Sequence, residues 1–424
     1  MNMQASKARS TSDKSGVFAK IDAMLPDLEK IYLDLHAHPE LSMQEVRTAG
    51  IAARWLEENG FEVHAGIGRT GVVGLLKNGD GPCILLRADM DGLPVKEKTG
   101  LPYASTQTGT DRFGQSVSIM HACAHDMHVT WLMAVTKLLS ESRGLWKGTV
   151  MAVFQPAEEI GAGAAAMLAD GMVKRFPKPD ICLGQHLIPI PAGQIGYCPG
   201  TAMSAADSWE VKMIGQGAHG SMPQNSVDPV VMASATVMRL QTVVSREVAM
   251  ADSAVVTVGT LQSGLNENVI PDEALLRLNI RTFKETVRSR VLASVKRIIE
   301  SEAEASGAPQ PPQFSTISQF PVTINDEAAT LRTAEVLSGH FGEGRLTRME
   351  PLSGSEDFGL FGTAWNVPSV FWWVGGTDAE KFAAAQDGGA PIPVNHSPFF
   401  APVIHPSLKT GVEAMLAAAY GWLD

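Results

Sequence analysis

Four cysteines in 424 residues, Cys83, Cys123, Cys182 and Cys198, are too few for a disulfide framework. A reducing, cytoplasmic setting is therefore the expectation. Lys/Arg blocks are missing too: 34 basic residues against 45 acidic ones leave a formal charge of -11. Phosphate binding needs a basic stripe, so a nucleic-acid partner is excluded. The opening MNMQASKARSTSDKSG has no apolar stretch of signal-peptide or membrane-helix length, which predicts no membrane association and a loose tail over 1–15. There is no G-x-S-x-G, so a serine hydrolase of that type has no nucleophile here. No internal repeat or low-complexity segment occurs.

What is present is ordinary globular material, 45% hydrophobic and 19% charged, enough for a large core and two domains. Helical apolar spacing over 44–59 is followed by the short buried run CILLRA at 83–88, then a helix at 127–140, a strand at 149–154, a helix at 163–170 closed by Gly171 and a strand near 180–184. That alternation predicts an α/β sheet buried on both faces. After Gly200 the pattern changes: strand 208–215, helix 229–243, strands 254–262 and 273–283, and a long amphipathic helix 285–305. This is a separate β-α-β-β-α unit closed by the Pro-rich APQPP at 308–312, and it reads as an insertion. The expected organisation is a tail at 1–15, a first domain from 16–203 and 317–424, and an inserted smaller α+β domain at 204–316.

The chemistry concentrates where strands end. In HACAHDMH (121–128), Cys123 and His125 precede an apolar helix. Two apart on a helix they would diverge, but in a turn at its start both could meet one ion. The plainer alternative is a buried cysteine and surface histidines. In FQPAEE (154–159) adjacent carboxylates follow a strand broken by Pro156. One of them could bind metal while the other takes a proton from the attacking water, although an isolated Glu-Glu pair is more often a solvated acidic loop. His186 in DICLGQHL (180–187) and His396 in VNHSPFF (394–400) could each be a structural hydrogen-bonding residue. Taken together, these candidates favour a site in the crevice outside the carboxyl ends of the strands. The run Phe371-Trp372-Trp373 reads as a buried strand rather than a ligand wall, because alternate residues face opposite ways.

HAHPELS (36–42), RADMDGLPV (87–95), HACAHDMH, FQPAEE, GQGAHGSMP (215–223), NVIPDEA (268–274), GSEDF (354–358) and NHSPFF (395–400) stand in one order over residues 30 to 405. In this the chain resembles the aminoacylase, hippurate hydrolase and auxin-conjugate amidohydrolase family of dinuclear metallopeptidase-like enzymes. The resemblance implies a mixed-sheet catalytic domain with an inserted lid or dimerisation domain. It also implies hydrolysis of the amide bond of N-acyl amino acids. Cys123, His125, Glu159, His186 and His396 would hold two divalent ions, Mn²⁺ or Zn²⁺ with Co²⁺ or Ni²⁺ as substitutes, and the Cys123 thiolate would be shared between them. Glu158 would be the general base, with Asp89 and Asp91 orienting the ligands.

The same resemblance gives His219 the oxyanion and Asn268 and Arg281 the substrate carboxylate. Read without it, Asn268 is a turn residue and Arg281 a solvated strand residue. Gly215, Gly217 and Gly220 suit a mobile loop around His219. The chain departs from the family at Ala124, where Gly is usual; the methyl alters the turn if the position needs positive φ. The expected partners are a small N-acyl amino acid and a second copy of the chain, with His219 serving its own or its partner's site. A non-catalytic binder of acyl-amino acids and a carboxypeptidase acting on short peptides are the competing readings.

Overall fold

The computed structural model describes residues 2–423, with side chains from Lys14 onward. The segment expected to be loose at 1–15 is, from Asn2, the beginning of a helix instead. Six helices matter here: α1 (Asn2–Ala37), α2 (Val46–Glu58), α3 (His125–Glu141), α4 (Pro229–Thr242), α5 (Glu285–Ala305) and α6 (Ser407–Leu423). The strands of the two principal sheets are β1 (Glu62–Ile67), β2 (Gly71–Asn78), β3 (Cys83–Asp89), β4 (Gly148–Gln155), β5 (Ile181–Pro191), β6 (Ile195–Tyr197), β7 (Ala205–Ile214), β8 (Ala254–Ser263), β9 (Glu273–Thr282), β10 (Gln313–Phe320), β11 (Leu346–Arg348) and β12 (Ser369–Thr377).

The chain divides into two compact units, one of Met1–Gly200, Ile324–Glu350 and Asp357–Asp424, the other of Thr201–Thr323 and Pro351–Glu356. In the first, eight strands run in the order β1-β2-β4-β3-β5-β12-β6-β11. The central neighbours β4, β3, β5 and β12 are mutually parallel, whereas β1, β2 and β6 add antiparallel pairings. Every residue of β3 is buried, as a strand covered on both faces requires. The aromatic run of β12 is likewise buried, as read from the sequence. Helix α3 is buried nearly all round and packs against α1 and α6 in one continuous core. At its closest approach Gly411 of α6 lies so near the Trp131 ring that a Cβ there would sit 2.0 Å from it.

The second unit is a four-stranded sheet, β8-β9-β7-β10, with α4 and α5 over one face around Val211, Leu276, Ile280, Val295 and Ile299. Asp228 caps α4 by accepting from the amides of Val230 and Val231, and Pro229 occupies the first turn, where its missing N–H costs nothing. The Pro-rich segment at 308–312 does not end this unit. It turns the chain into β10, which pairs antiparallel with β7 from Lys212–Gln313 to Ala206–Phe320. Proline marks an interruption of local structure, but whether the chain returns to the same sheet depends on an open edge far away in sequence.

Candidate metal centre

At the start of α3, Ala124 is the residue before the first helical position and sits in the left-handed region at φ +64°. Its carbonyl receives the amides of Met127 and His128, so the bend is closed by the helix it begins. The left-handed bend, rather than helical geometry, brings Cys123 Sγ and the His125 ring together. Both have an atom within 4.8 Å of a Glu159 carboxylate oxygen.

Glu159 comes from the turn after β4, where Ala157 is also left-handed, at φ +49°. Asp91, two residues beyond β3, receives the Glu158 amide on Oδ1 and the Glu159 amide on Oδ2, each at 3.1 Å. The same carboxylate takes the Ser42 hydroxyl at 2.6 Å and lies 3.3 Å from His125 Nδ1. Gly163 closes the turn: a Cβ there would fall 1.5 Å from the Pro156 carbonyl oxygen, a space only glycine tolerates. Glu158 is buried, with a carboxylate oxygen within 4.8 Å of one of Asp357, whose own side chain is held by Gln155 Nε2 and the Ala164 amide.

His186 lies on β5 two residues beyond Gly184, where the pairing with β3 ends. Its Nδ1 donates to the Leu187 carbonyl at 2.8 Å, which leaves a lone pair on Nε2, 3.4 Å from Cys123 Sγ. His396 is a third left-handed residue, at φ +71°. Its amide is tied to the Ala122 carbonyl and its Nε2 is 3.3 Å from Glu159 Oε2. With 57% of its side chain exposed, it forms the solvent side of the cluster. All five residues expected as ligands thus lie in one cluster, drawn from the start of α3, the turn after β4, strand β5 and a loop.

Two polar atoms in this cluster, His125 Nε2 and Glu159 Oε1, are buried without a hydrogen-bond partner, and they stand 3.8 Å apart. Orphaned buried donors and acceptors are expensive, and a cation between these two would satisfy both. The charges agree. Burial and the Asp91 and Asp89 carboxylates push Glu159 up to about 8, despite the opposing His125. Burial also pushes the Cys123 thiol up. Desolvation opposes charge on His125, yet Asp89, Asp91 and Cys123 outweigh it and raise its pKa well above the usual value. The cluster holds on to protons that a divalent cation would replace, and its thiolate, imidazole and carboxylate groups are metal-ligand types.

His128 and Asp89 extend the cluster: with His125 and His186 they offer four atoms within 4.8 Å of one another. His128, however, is already committed, its Nδ1 at 2.6 Å from Asp89 Oδ1 and its Nε2 accepting the Leu187 amide at 2.9 Å. It locks the backbone beside His186 instead of offering a free lone pair. The clue was legible as the i, i+3 spacing from His125, which places both on one helix face. Behind Asp89 sits the fully buried Arg87, which donates to Asp89 Oδ2 and to Gln155 Oε1. Asp89 is thereby kept ionised against its desolvation.

The three residues expected to meet substrate belong to the second unit. His219 pairs with Val269 in a two-residue ladder, and Gly220 donates to the Asn268 carbonyl at 2.7 Å, so His219 and Asn268 are neighbours. The exposed His219 receives the Ser221 amide on Nδ1, which puts its proton on Nε2 and makes that atom a donor. Arg281, on β9, donates to Asn279 Oδ1, to the Ser353 carbonyl and to Ser355 Oγ. It is anchored within its own unit rather than loose in solvent.

A mixed sheet whose unit carries a Cys/His/Glu cluster, in a chain with a second, smaller α+β unit, defines a metallohydrolase of the two-domain peptidase type. Residues 85–403 match the model of peptidase family M20/M25/M40, and the chain belongs to that family. It is 37% identical to an N-acetylcysteine deacetylase of Bacillus subtilis over 82% of this chain and 88% of that protein. A hippurate hydrolase of Campylobacter jejuni is also 37% identical, over 79% of this chain and 85% of its own length. Among solved structures, a dinuclear metal-binding peptidase of the M20 family from Bacillus subtilis superposes with a TM-score of 0.71 at 32% identity, covering 94% of this chain and 98% of that one.

Proposed function

We propose that this protein hydrolyses the amide bond of N-acyl amino acids, releasing a carboxylic acid and a free amino acid. In this reading Cys123, His125, Glu159, His186 and His396 hold two divalent cations, Mn²⁺ or Zn²⁺. The observation that carries it is the pair of buried, unpartnered atoms His125 Nε2 and Glu159 Oε1 beside Cys123. The acyl-amino-acid substrates named for the deacetylase and hippurate hydrolase relatives support the substrate class.

Bound divalent ions supply Lewis acidity for the scissile carbonyl and acidify water. The chain does the rest. Glu158 accepts a proton from water and returns it to the leaving amine, a task that suits a carboxylate buried beside Glu159 but turned from it. Asp91 keeps both glutamates in place through their amides. His219 presents an Nε2–H suited to a developing oxyanion, and Arg281 offers a planar guanidinium to the substrate carboxylate.

The exposed edge strand β8 and the apolar side chains Val231, Met238, Val255 and Leu261 on the second unit support a homodimer through that unit. Cys83, Cys123 and Cys182 are free thiols, which suits a reducing compartment. No helix among the described residues is long and apolar enough to cross a membrane.

The deciding experiment assays a panel of N-acetyl, benzoyl and indoleacetyl amino acids after exhaustive chelation and again after adding Mn²⁺, Zn²⁺, Co²⁺ or Ni²⁺. Activity should vanish and return. Full turnover by a verified metal-free sample would reject the metal role. Binding of the panel without turnover under every metal would instead favour a non-catalytic acyl-amino-acid holder.

A further inference from the structure

Three consecutive amides after β4 point at carboxyl groups brought from elsewhere in the first unit. Asp91 receives those of Glu158 and Glu159. The third, from Ala157, goes to Oε1 of Glu45 at 2.8 Å. Glu45 is completely buried at the start of α2. Its Oε1 also accepts the amide of Met43 at 2.9 Å, and its Oε2 receives the Thr70 hydroxyl. Met43 and Ala157 are both left-handed non-glycine residues, at φ +64° and +49°. One buried carboxyl group therefore restrains two backbone positions that side-chain-bearing residues seldom adopt.

The Ala157 conformation sets the direction of the next two side chains. They must go to different places, Glu159 toward Cys123 and His125, and Glu158 toward Asp357. An Ala157 relaxed to negative φ would rotate both. Its amide would also lose a charge-assisted partner in a buried setting, where an unpaired N–H is costly.

We propose that Glu45 is a positioning residue for the catalytic turn, holding Ala157 left-handed so that Glu158 and Glu159 diverge; this rests on Glu158 as proton carrier and Glu159 as metal ligand. The hydrogen bonds of the Glu45 carboxyl go to the Met43 and Ala157 amides and the Thr70 hydroxyl, so it reaches the two glutamates through the backbone of the turn.

The test compares Glu45→Gln, Glu45→Leu and the double variant Glu45→Leu/Ala157→Gly at pH 8. Burial followed by the Asp91 charge raises the Glu45 carboxyl to about 7, so it is largely ionised there. Hydrogen–deuterium exchange over 154–162 is read on chelator-treated protein, and Mn²⁺ affinity by calorimetry. Glutamine keeps the Oε1 acceptor and should stay close to wild type in both. Leucine should unprotect the turn and weaken Mn²⁺ binding roughly 10- to 100-fold, the scale for residues that orient ligands. Glycine at 157 adopts positive φ without help, so the double variant should recover most of the affinity while the 157 amide stays unprotected.

A folded Glu45→Leu protein with wild-type exchange and affinity overturns the proposal, as does a loss that Ala157→Gly does not repair. Should Glu45→Leu fail to fold, Glu45→Asp, one methylene short of Ala157, carries the same expectations. A wild-type chain that protects the turn but binds no Mn²⁺ would overturn the metal reading, and the exchange comparison would still decide the role of Glu45.

Discussion

His36 Nδ1 lies 2.7 Å from Asp126 Oδ2, with both side chains buried, and His36 Nε2 is 3.2 Å from Glu97 Oε1. Asp126 comes directly after the proposed ligand His125, so this pair ties α1 to the beginning of α3. Burial opposes a charge on His36, but the two carboxylates win and raise it from 6.5 to about 9. A folded pKa above the unfolded one stabilises fully below about 6.5 and is lost as pH rises through 9. The linkage amounts to about 3 kcal/mol. Urea unfolding of wild type and His36→Gln between pH 6 and 10 should show a stability gap that shrinks across that window. A constant gap would mean His36 is not held protonated in the fold.

Glu158→Ala and Glu159→Ala should fail differently. Removing a proton carrier should leave metal content near normal and reduce kcat by about 10²-fold or more. Removing Glu159 takes away the carboxylate that faces His125 Nε2 and His396 Nε2, so metal affinity should fall as well. Metal analysis beside steady-state kinetics separates the two cases, and equal metal loss in both variants would reject the assignment.

Ala124 occupies a position where glycine is the natural choice, yet the opposing magnitudes nearly cancel. A left-handed alanine costs about 1–2 kcal/mol. Replacing it with glycine forfeits about 0.5–1 kcal/mol of backbone entropy and roughly 0.8 kcal/mol for a methyl that is only 1% exposed. Ala124→Gly should therefore change stability by less than about 1 kcal/mol and leave metal affinity intact. Ala124→Val, β-branched at φ +64°, should lose metal binding. Thermal unfolding and metal titration check both, and a tolerated valine would show that the bend is not needed.

Arg281 should discriminate by charge. If it pairs with the substrate carboxylate, Arg281→Ala will penalise an N-acyl amino acid far more than the corresponding amide, by the 1.5–3 kcal/mol or so of a hydrogen bond to a charged group. Its bonds to Ser353 and Ser355 offer the rival account, in which the variant simply loosens β9. Equal penalties in kcat/KM for both substrates would favour that account.

Much of the fold and of the site is legible in the sequence. The period of apolar residues locates α2, α3, α5 and the central strands because burial on one stripe or both faces leaves a local imprint. Residue chemistry marks Cys123, His125, Glu158, Glu159, His186 and His396 for the same reason: thiol, imidazole and carboxyl at strand ends are few. The return of β10 to the second sheet leaves no such imprint, because its partner β7 lies about a hundred residues earlier.

Sequence by itself determined the kinds of group available and the backbone rhythm that carries them, since both are properties of neighbouring residues. Tertiary structure alone decided which groups meet. His125 and His128 are equivalent as letters three apart. Only Asp89 and the Leu187 amide, arriving from separate strands, occupy His128 and leave His125 Nε2 unpartnered. In the same way, Ala157 carries no local sign of its left-handed bend, because the carboxyl group that receives its amide, Glu45, stands 112 positions away. Convergence depends on the order of parallel strands and on hydrogen bonds between distant segments, and no short stretch of sequence encodes either.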